Sequence, residues 1–301
     1  MLSPNTAPRG RSIWSQVDRK TFENGLDNLH NAKFITEPQT LREEDWPKPR
    51  KFEVLPFAIE KQLSDDIAFV SAYDYGVRYV TCAAIEAGER EGLLIRLAAN
   101  EGVCVLVVGA WTRLISTLER CAKKALSREQ CVEDALDIVI TLNRNRILGR
   151  LASRHFQRSQ HENGPARNAL PERLKTYLRS SKRQSTETKK LTREVDNLHT
   201  AFLDMENSRA NTGTIRRVVI DAFRLTVDGI SLPVRLEKAG FSPSTIDTRE
   251  VREVNKIANY LRVCHSPVHL SDSLTVISYN IFQNQARAYR NVRAIRLPRK
   301  Q

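Results

Sequence analysis

Apolar residues recur at intervals of three and four positions along most of this 301-residue chain, and that spacing constrains its fold more than any other feature. The period places the apolar side chains on one face of an α-helix. Within residues 51–156, no Asn-Gly or Asp-Gly pair separates the apolar stretches, which weakens the case for β-hairpins there. The sequence therefore predicts a mainly α-helical protein: a helical bundle core, a basic helical connector and a partly disordered C-terminal tail.

Residues 51–156 are the best globular stretch, and we predict that they form a helical core domain. Its first helix is marked by Leu63, Ile67, Val70, Val77 and Ala84. The segment Leu93–Leu118 is apolar nearly all round, as in a helix central to a bundle, but residues 102–109 also suit a buried strand. A third helix begins at Ser127, which forms a capping box with Gln130. Its apolar face carries Val132, Ala135, Leu136, Val139, Leu142 and also Arg146.

Four further segments flank this core. Residues 1–50 mix proline, asparagine and charge, and we read them as a partly ordered arm. Residues 157–212 form a basic linker followed by an amphipathic helix. Residues 213–264 form a small helical segment, and residues 265–301 form a basic tail. We expect Pro267 to end the last helix, because proline breaks helix interiors.

Apolar seams mark the helices of the second half. The first seam has 4-3-4-3 spacing over two heptads: Leu191, Val195, Leu198, Phe202 and Met205. It suits either a single amphipathic helix laid against the core or a short coiled-coil contact between two copies. The second seam consists of Ile215, Val218, Val219, Ala222 and Phe223, and we expect Gly229 and Pro233 to end that helix. The third consists of Val251, Val254, Ala258 and Leu261, with Asp247 as the predicted cap and Glu250 as its capping-box partner.

The net charge of +13 lies entirely in residues 151–301, since the first 150 residues carry equal numbers of basic and acidic side chains. An unbalanced basic segment attracts nucleic acid, anionic lipid or an acidic partner, although it also suits a solvated tail. The candidate polyanion-binding residues lie at the end of the chain: Arg287, Arg290, Arg293, Arg296, Arg299 and Lys300. The pair Lys189-Lys190 resembles half of a bipartite nuclear signal, but such pairs are also typical of a helix surface.

Cysteine usage and the first residues indicate an intracellular protein, cytoplasmic or nuclear. Five widely spaced cysteines are too few for a disulfide scaffold and read as reduced, buried small hydrophobes. The first ten residues hold two prolines and no apolar run, so we expect no export signal. The longest apolar run, Val103–Trp111, is too short to cross a bilayer, which needs about 20 residues.

The sequence predicts no catalytic residue, no cofactor and no metal. Cys264, His265 and His269 are the densest group of metal-ligand types, but a structural zinc site needs four ligands. A nucleophile elbow and a glycine-rich phosphate loop are both absent. Asp65 and Asp66 are expected near the start of a helix, where acidic side chains interact favourably with the helix dipole.

Two C-terminal stretches resemble a known family. Residues 242–264, beginning Ser-Pro-Ser-Thr-Ile-Asp, and residues 286–297, beginning Ala-Arg-Ala-Tyr-Arg, are similar to the N-terminal helical portion of fungal deaminase-like proteins. In that family these helices precede a zinc-dependent nucleoside or nucleic-acid deaminase domain. The resemblance covers about 35 residues, and it implies a helical fold.

The zinc deaminase motifs themselves are absent. Such enzymes need His-x-Glu and Pro-Cys-x-x-Cys, and neither pattern occurs here. The chain ends where the catalytic part of that family begins, so the resemblance implies the non-catalytic portion, as in a truncated or alternatively spliced product. We expect a non-enzymatic interaction or accessory module that contacts a protein partner through helical surfaces. The alternative is a nonspecific nucleic-acid binder acting through the basic second half, and an unrecognised enzyme is a third class.

Overall fold

A computed structural model describes most of the middle of the chain. The described residues are 20–21, 24, 56–75, 79–88, 92–99, 102–157, 168–179, 185–226, 231–242, 246, 248–271 and 277–281. Nearly all of the predicted arm, residues 1–50, lies outside these ranges, as does the chain from residue 282 onward.

The described residues are mainly α-helical, as predicted, with a small sheet. The helices are α1 (Phe57–Ser71), α2 (Val105–Ala122), α3 (Arg128–Leu151), α4 (Leu170–Arg179), α5 (Thr186–Asn207), α6 (Thr212–Arg224), α7 (Leu232–Lys238) and α8 (Arg249–Ser271). The strands are β1 (Thr81–Gly88), β2 (Gly92–Ala99) and β3 (Ile277–Ile281).

Side-chain caps fix where several helices begin. The predicted capping box of α3 is confirmed: the backbone N–H of Gln130 donates to Ser127 Oγ at 3.2 Å, and the backbone N–H of Ser127 donates to Gln130 Oε1 at 3.1 Å. Ser185 caps α5 and Asn211 caps α6 in the same way. Each cap satisfies a backbone donor that the first turn of a helix leaves free.

The sheet corrects the prediction of a helical core domain over residues 51–156, because β1 and β2 occupy positions assigned to helices. Strands β1 and β2 pair antiparallel, with Thr81 opposite Ala99 and Gly88 opposite Gly92. Strand β3 then pairs parallel to β2, so the strand order is β1-β2-β3. The hairpin escaped prediction because three residues, rather than an Asn-Gly pair, join its strands and because alanine and leucine, good helix formers, dominate both.

Helix α2 is shorter than the sequence predicted. Strand β2 occupies the first part of Leu93–Leu118, and Gly102, with φ of 87°, turns the chain into α2. The helix starts at Val105, so residues 105–109, for which a strand was the alternative, are helical. Of the β-branched residues there, Val107 is buried in the core, whereas Val105 is 75% exposed.

Helix α8 corrects two predictions about chain breaks. Pro267 lies inside the helix, which continues to Ser271. The basic tail was predicted to begin at residue 265, but the end of α8 and strand β3 at Ile277–Ile281 lie within that range. Thr248 Oγ1 accepts from the backbone N–H of Val251 at 3.4 Å, whereas Asp247, the predicted cap, lies outside the described residues. Pro233 likewise belongs to the first turn of α7 and not to the end of α6.

One hydrophobic cluster joins both halves of the described chain, from Leu63 on α1 to Cys264 on α8. Helix α8 lies at its centre, packed against α1, α2, α3, α4, α6 and α7. All five seam residues of α5 are buried in this cluster, which confirms the single amphipathic helix laid against the core. The buried α8 seam is confirmed too. No helix in the described part of the chain is both long enough and apolar enough to cross a lipid bilayer.

Candidate functional site

The six predicted polyanion-binding residues lie outside the described residues, so their assignment stays a prediction. They are Arg287, Arg290, Arg293, Arg296, Arg299 and Lys300. The described residues offer two other candidates. One is a small cavity beside a buried carboxyl, and the other is the charged surface of α5.

The cavity lies between α1, α2, α3 and α8, and Asp66 contributes the carboxyl group to its wall. The sequence placed Asp66 near a helix start, and that interpretation was wrong. The residue is the tenth of α1, because the helix begins at Phe57, and its side chain is only 4% exposed. A carboxyl at this position faces the core and not the helix N-terminus.

Of the two carboxylate oxygens of Asp66, one accepts a hydrogen bond from a neighbouring side chain. Its Oδ1 accepts from Gln62 Nε2 at 2.8 Å, while its buried Oδ2 has no donor among the described residues. Burial raises the pKa of Asp66 above its ordinary value, and the nearby charge of Asp65 acts in the same direction. The hydroxyl of Ser266, the amide of Gln62 and the charge of Arg262 oppose that rise in pKa without cancelling it.

The cavity is too small and too apolar for a substrate-sized ligand. The cavity volume that the centre of a water molecule can occupy is about 20 Å³. This space holds a single water molecule. Its walls are otherwise apolar, with Trp111, Leu114 and Val139 among them. Trp111 is held in place because its Nε1 donates to Ser71 Oγ at 2.8 Å.

Cys264 is the nucleophilic side chain at this cavity, and its geometry keeps it unreactive. Its Sγ donates to the backbone carbonyl of Tyr260 at 3.2 Å. Burial raises the pKa of the Cys264 thiol well above its ordinary value, so the reactive thiolate is not formed at neutral pH. Cys131, also buried, has a pKa raised to about 12 by burial and by its neighbour Cys121. None of the five cysteines, all of which are described residues, forms a disulfide bond.

Two members of the densest group of metal-ligand types, Cys264 and His265, contact different neighbours. The ring of His265 stacks on Phe223 with centroids 5.9 Å apart, while the neighbouring Cys264 points to the backbone of Tyr260. Among the residues that the structure describes, no three His, Cys, Asp or Glu side chains come together as metal ligands would.

Charged and polar side chains of α3 bind the C-terminal end of α1. Asn143 Nδ2 donates to the carbonyl of Val70 at 3.0 Å, and Arg146 donates to the carbonyls of Phe69, at 2.9 Å, and of Ala72. The last carbonyls of a helix lack partners within it and carry partial negative charge, so a cation there is favourable. Arg146 already stood out in the sequence as a cation on an apolar helix face.

Arg150 connects α3 to α8. Its Nη1 lies 2.7 Å from Glu253 Oε2, and both side chains are largely buried. Burial raises the pKa of Glu253, but the charges and hydrogen bonds of Arg150 and Lys256 together outweigh that effect and hold the pKa below its ordinary value. Tyr260, which is fully buried, lies beside both Arg146 and Arg150. This group is a structural joint between helices.

Arg235 is the most highly connected charged residue of the C-terminal helices. Its side chain is 5% exposed and lies 2.9 Å from Glu187 and 2.7 Å from Glu194, both on α5. It also donates to the carbonyls of Arg224 and Leu225 at the end of α6, each at 3.2 Å. Burial opposes its charge, but the two carboxylates raise the pKa of Arg235 above its ordinary value. One cation thus joins α5, α6 and α7.

The acidic residues of α5 are all engaged by other parts of the chain. Glu187 and Glu194 bind Arg235, and Asp196 binds Lys175 of α4 at 2.6 Å. Asp204 binds Arg217 of α6 at 2.9 Å, and Glu206 binds Arg154 at 3.3 Å. The sequence could not show this arrangement, because the partners lie 13 to 52 residues away.

Comparison with known proteins identified no relative of this chain: no protein-family model, no curated protein and no solved structure matches it.

Proposed function

We propose that this protein is a non-catalytic helical interaction module. The supporting observation is that three largely buried arginines join helices to one another. Arg146, Arg150 and Arg235 each bridge two or more helices. Ion pairs and helix caps of this kind hold the helices in fixed positions, and the outer faces of those helices are then available to a partner.

The resemblance to fungal deaminase-like proteins gives this proposal a more specific form. Residues 249–264, the described helical part of the resemblance, lie on α8 at the centre of the bundle. On this proposal the bundle corresponds to the helical portion that precedes the deaminase domain, and it acts as an accessory to catalysis located elsewhere.

An activity assay tests the non-catalytic part of the proposal. The purified chain is incubated with cytidine, adenosine and single-stranded oligonucleotides that contain them, and ultraviolet absorbance follows loss of the amino group. We expect no turnover above a buffer blank. Turnover that copurifies with the chain, and that is lost when Asp66 is changed to Asn, would contradict the proposal.

A second candidate function is nonspecific nucleic-acid binding through the basic second half. The favouring observation is that this half carries the entire net charge of +13, while its buried Arg235 is already neutralised by Glu187 and Glu194. The excess charge therefore belongs to other, more exposed side chains and to the terminal residues 287–301. Contacts between such cations and phosphates make the affinity for nucleic acid independent of base sequence and steeply dependent on salt concentration.

The test is a titration of the full chain against unrelated DNA and RNA oligonucleotides at two salt concentrations. We expect similar affinities for unrelated sequences and a steep loss of affinity as salt rises. Strong preference for one sequence, or binding that ignores salt, would contradict nonspecific binding.

A further inference from the structure

Helix α5 separates its charges between two sides. The sequence Thr186–Asn207 contains five acidic residues and only three Lys or Arg, so the helix is acidic by composition. All five acids are engaged by cations of other elements, as described above. The three cations, Lys189, Lys190 and Arg193, are exposed, and no acidic side chain among the described residues forms an ion pair with them. The outward surface is therefore basic although the helix is not.

These cations belong to a continuous stripe on the outer face of α5. Its exposed members are Thr186, Lys189, Lys190, Arg193, Asn197 and Thr200. At 100° per residue they lie within about 100° of the helix circumference, and at 1.5 Å per residue they extend over about 21 Å. The buried seam that includes Val195 faces the opposite way. No acidic residue lies on this face between Thr186 and Thr200, and the stripe ends one turn before Asp204, which has the same helical angle as Thr186 and pairs with Arg217.

The position of the cations argues against a purely stabilising role. Lys189 and Lys190 are the fourth and fifth residues of α5, near the end where the helix dipole favours anions and disfavours cations. The same positive end of the helix strengthens the attraction of an external anion. The cations are therefore well placed to bind an external anion, whereas their interaction with the dipole of their own helix is unfavourable.

We infer that the stripe Thr186–Thr200 of α5 binds the phosphodiester backbone of nucleic acid. This inference rests on the second proposed function, nucleic-acid binding, and assigns it a surface. Lysine and arginine supply the charge, and the Thr186 hydroxyl and Asn197 amide supply hydrogen bonds of the kind that proteins make to phosphate and sugar oxygens. A membrane surface fits less well, because amphipathic membrane-binding helices place large apolar residues beside their cations, and the stripe contains none.

The test compares three full-length proteins by titration of a 20-base-pair duplex over a range of salt concentrations. The first is the unchanged chain. The second carries Lys189→Gln, Lys190→Gln and Arg193→Gln. The third is a control with the same loss of charge from exposed positions of α2 and its end: Arg113→Gln, Arg120→Gln and Lys123→Gln. Far-ultraviolet circular dichroism and a thermal melt establish that each variant folds.

If the stripe neutralises three phosphates, the slope of log K against log salt becomes shallower by about 2.7 in the α5 variant, at about 0.9 for each phosphate. Affinity at low salt then falls at least roughly tenfold. In the control variant we expect the slope to change by less than about one. A slope that the α5 variant leaves unchanged, while the unchanged chain binds DNA, overturns the inference and leaves nucleic-acid binding intact.

Two further outcomes separate the remaining explanations. If changing the six terminal basic residues from Arg287 to Lys300 abolishes binding while the α5 variant binds normally, the tail is the site and the stripe is not. If the unchanged chain binds neither duplex nor single strands at 50 mM salt, the inference and the second proposed function fail together. Binding to phosphatidylserine vesicles without binding to DNA would also overturn the inference.

Discussion

The N-terminal region, residues 56–157, and the C-terminal region, residues 168–271, are held together by different interactions. In the N-terminal region, α1, α2 and α3 join through apolar packing and through hydrogen bonds such as that of Trp111 to Ser71 and that of Asn143 to Val70. In the C-terminal region, the buried Arg235 and the half-buried Arg173 bind carboxylates on other helices, with Arg235 the most connected. Both regions thus share one apolar core, and the C-terminal region adds buried ionic contacts between its helices.

The difference predicts how each region responds to change. Apolar contacts depend on shape, so the N-terminal region should be sensitive to added or removed volume. A buried ion pair is costly to desolvate, and its main signature is the large penalty that follows when one partner is removed. The C-terminal region should therefore respond most strongly to changes of charge.

The largest expected effect is in the C-terminal region, for Arg235→Ala. This change leaves Glu194, whose side chain is 12% exposed, and two backbone carbonyls without their donor. We expect the free energy of unfolding to fall by about 3–5 kcal/mol, as measured by urea denaturation. The matched control is Arg217→Ala, which breaks an exposed pair with Asp204 and should cost less than about 0.5 kcal/mol. Equal losses would contradict the distinction between buried and exposed pairs.

In the N-terminal region the largest effect should come from added volume at Gly149. A Cβ there would meet Tyr75 Cε2 at 2.5 Å and Phe156 Cε2 at 2.8 Å. These two rings pack edge to face with centroids 5.4 Å apart, so they cannot both move freely. We expect Gly149→Ala to lower the free energy of unfolding by about 1–3 kcal/mol. A denaturation curve unchanged from that of the unsubstituted chain would show that the rings give way easily.

Asp66 is the exception within the N-terminal region, since it is a buried charge without full pairing. A pKa raised in the folded state means that the folded chain holds the proton more tightly than the unfolded chain does. The carboxyl therefore costs no stability below its unfolded pKa of about 4, and the cost grows as pH rises through the raised pKa. We expect Asp66→Asn to raise stability by about 1–2 kcal/mol at pH 7.

The advantage of that variant should shrink on acidification and vanish below about pH 4. Thermal melts of both proteins between pH 3 and pH 8 measure it. A difference in stability that does not change with pH would show that ionisation of Asp66 is not its cause.

The smallest expected effect is a gain in stability at Gly109, in the middle of α2. A Cβ there meets no atom within 4 Å, so alanine adds helix propensity without crowding. Gly109→Ala should raise the free energy of unfolding by about 0.5–1 kcal/mol. Gly109→Ala and Gly149→Ala are the same substitution, but we expect them to change stability in opposite directions. The pair therefore tests whether packing determines stability in this region. A loss of stability at Gly109 would refute that reading.

Sequence reasoning succeeded where local spacing determines structure. The capping box at Ser127 and Gln130 and the buried seam of α5 each depend on residues within one or two helical turns. It failed where contacts between residues far apart in the sequence determine the structure. The helix-forming residues of β2 become a strand because β1 and β3 pair with it. Pro267 stays helical because both sides of it are packed, with Cys264 and Val268 buried.

The charged sites depended even more on distant contacts. Arg235 pairs with Glu187 and Glu194, which lie 48 and 41 residues away in the sequence. No local sequence pattern at position 235 indicates a buried cation. Asp66 was misread because α1 begins nine residues earlier, behind Pro56, where no side-chain cap marks the start. Arg146 is the one charged site with a local signal, as it continues the apolar face of α3. The basic stripe of α5 required the structure, because composition alone makes that helix acidic.

A double-mutant cycle tests the central claim, that buried ion pairs join the C-terminal helices. Arg235→Ala, Glu194→Ala and the double variant are compared by urea denaturation with the parallel cycle at Arg217 and Asp204. We predict a coupling energy of about 1.5–3 kcal/mol between Arg235 and Glu194, and one below about 0.5 kcal/mol between Arg217 and Asp204. A coupling energy near zero at Arg235 and Glu194 would contradict the account, because the C-terminal helices would then be held by apolar packing alone.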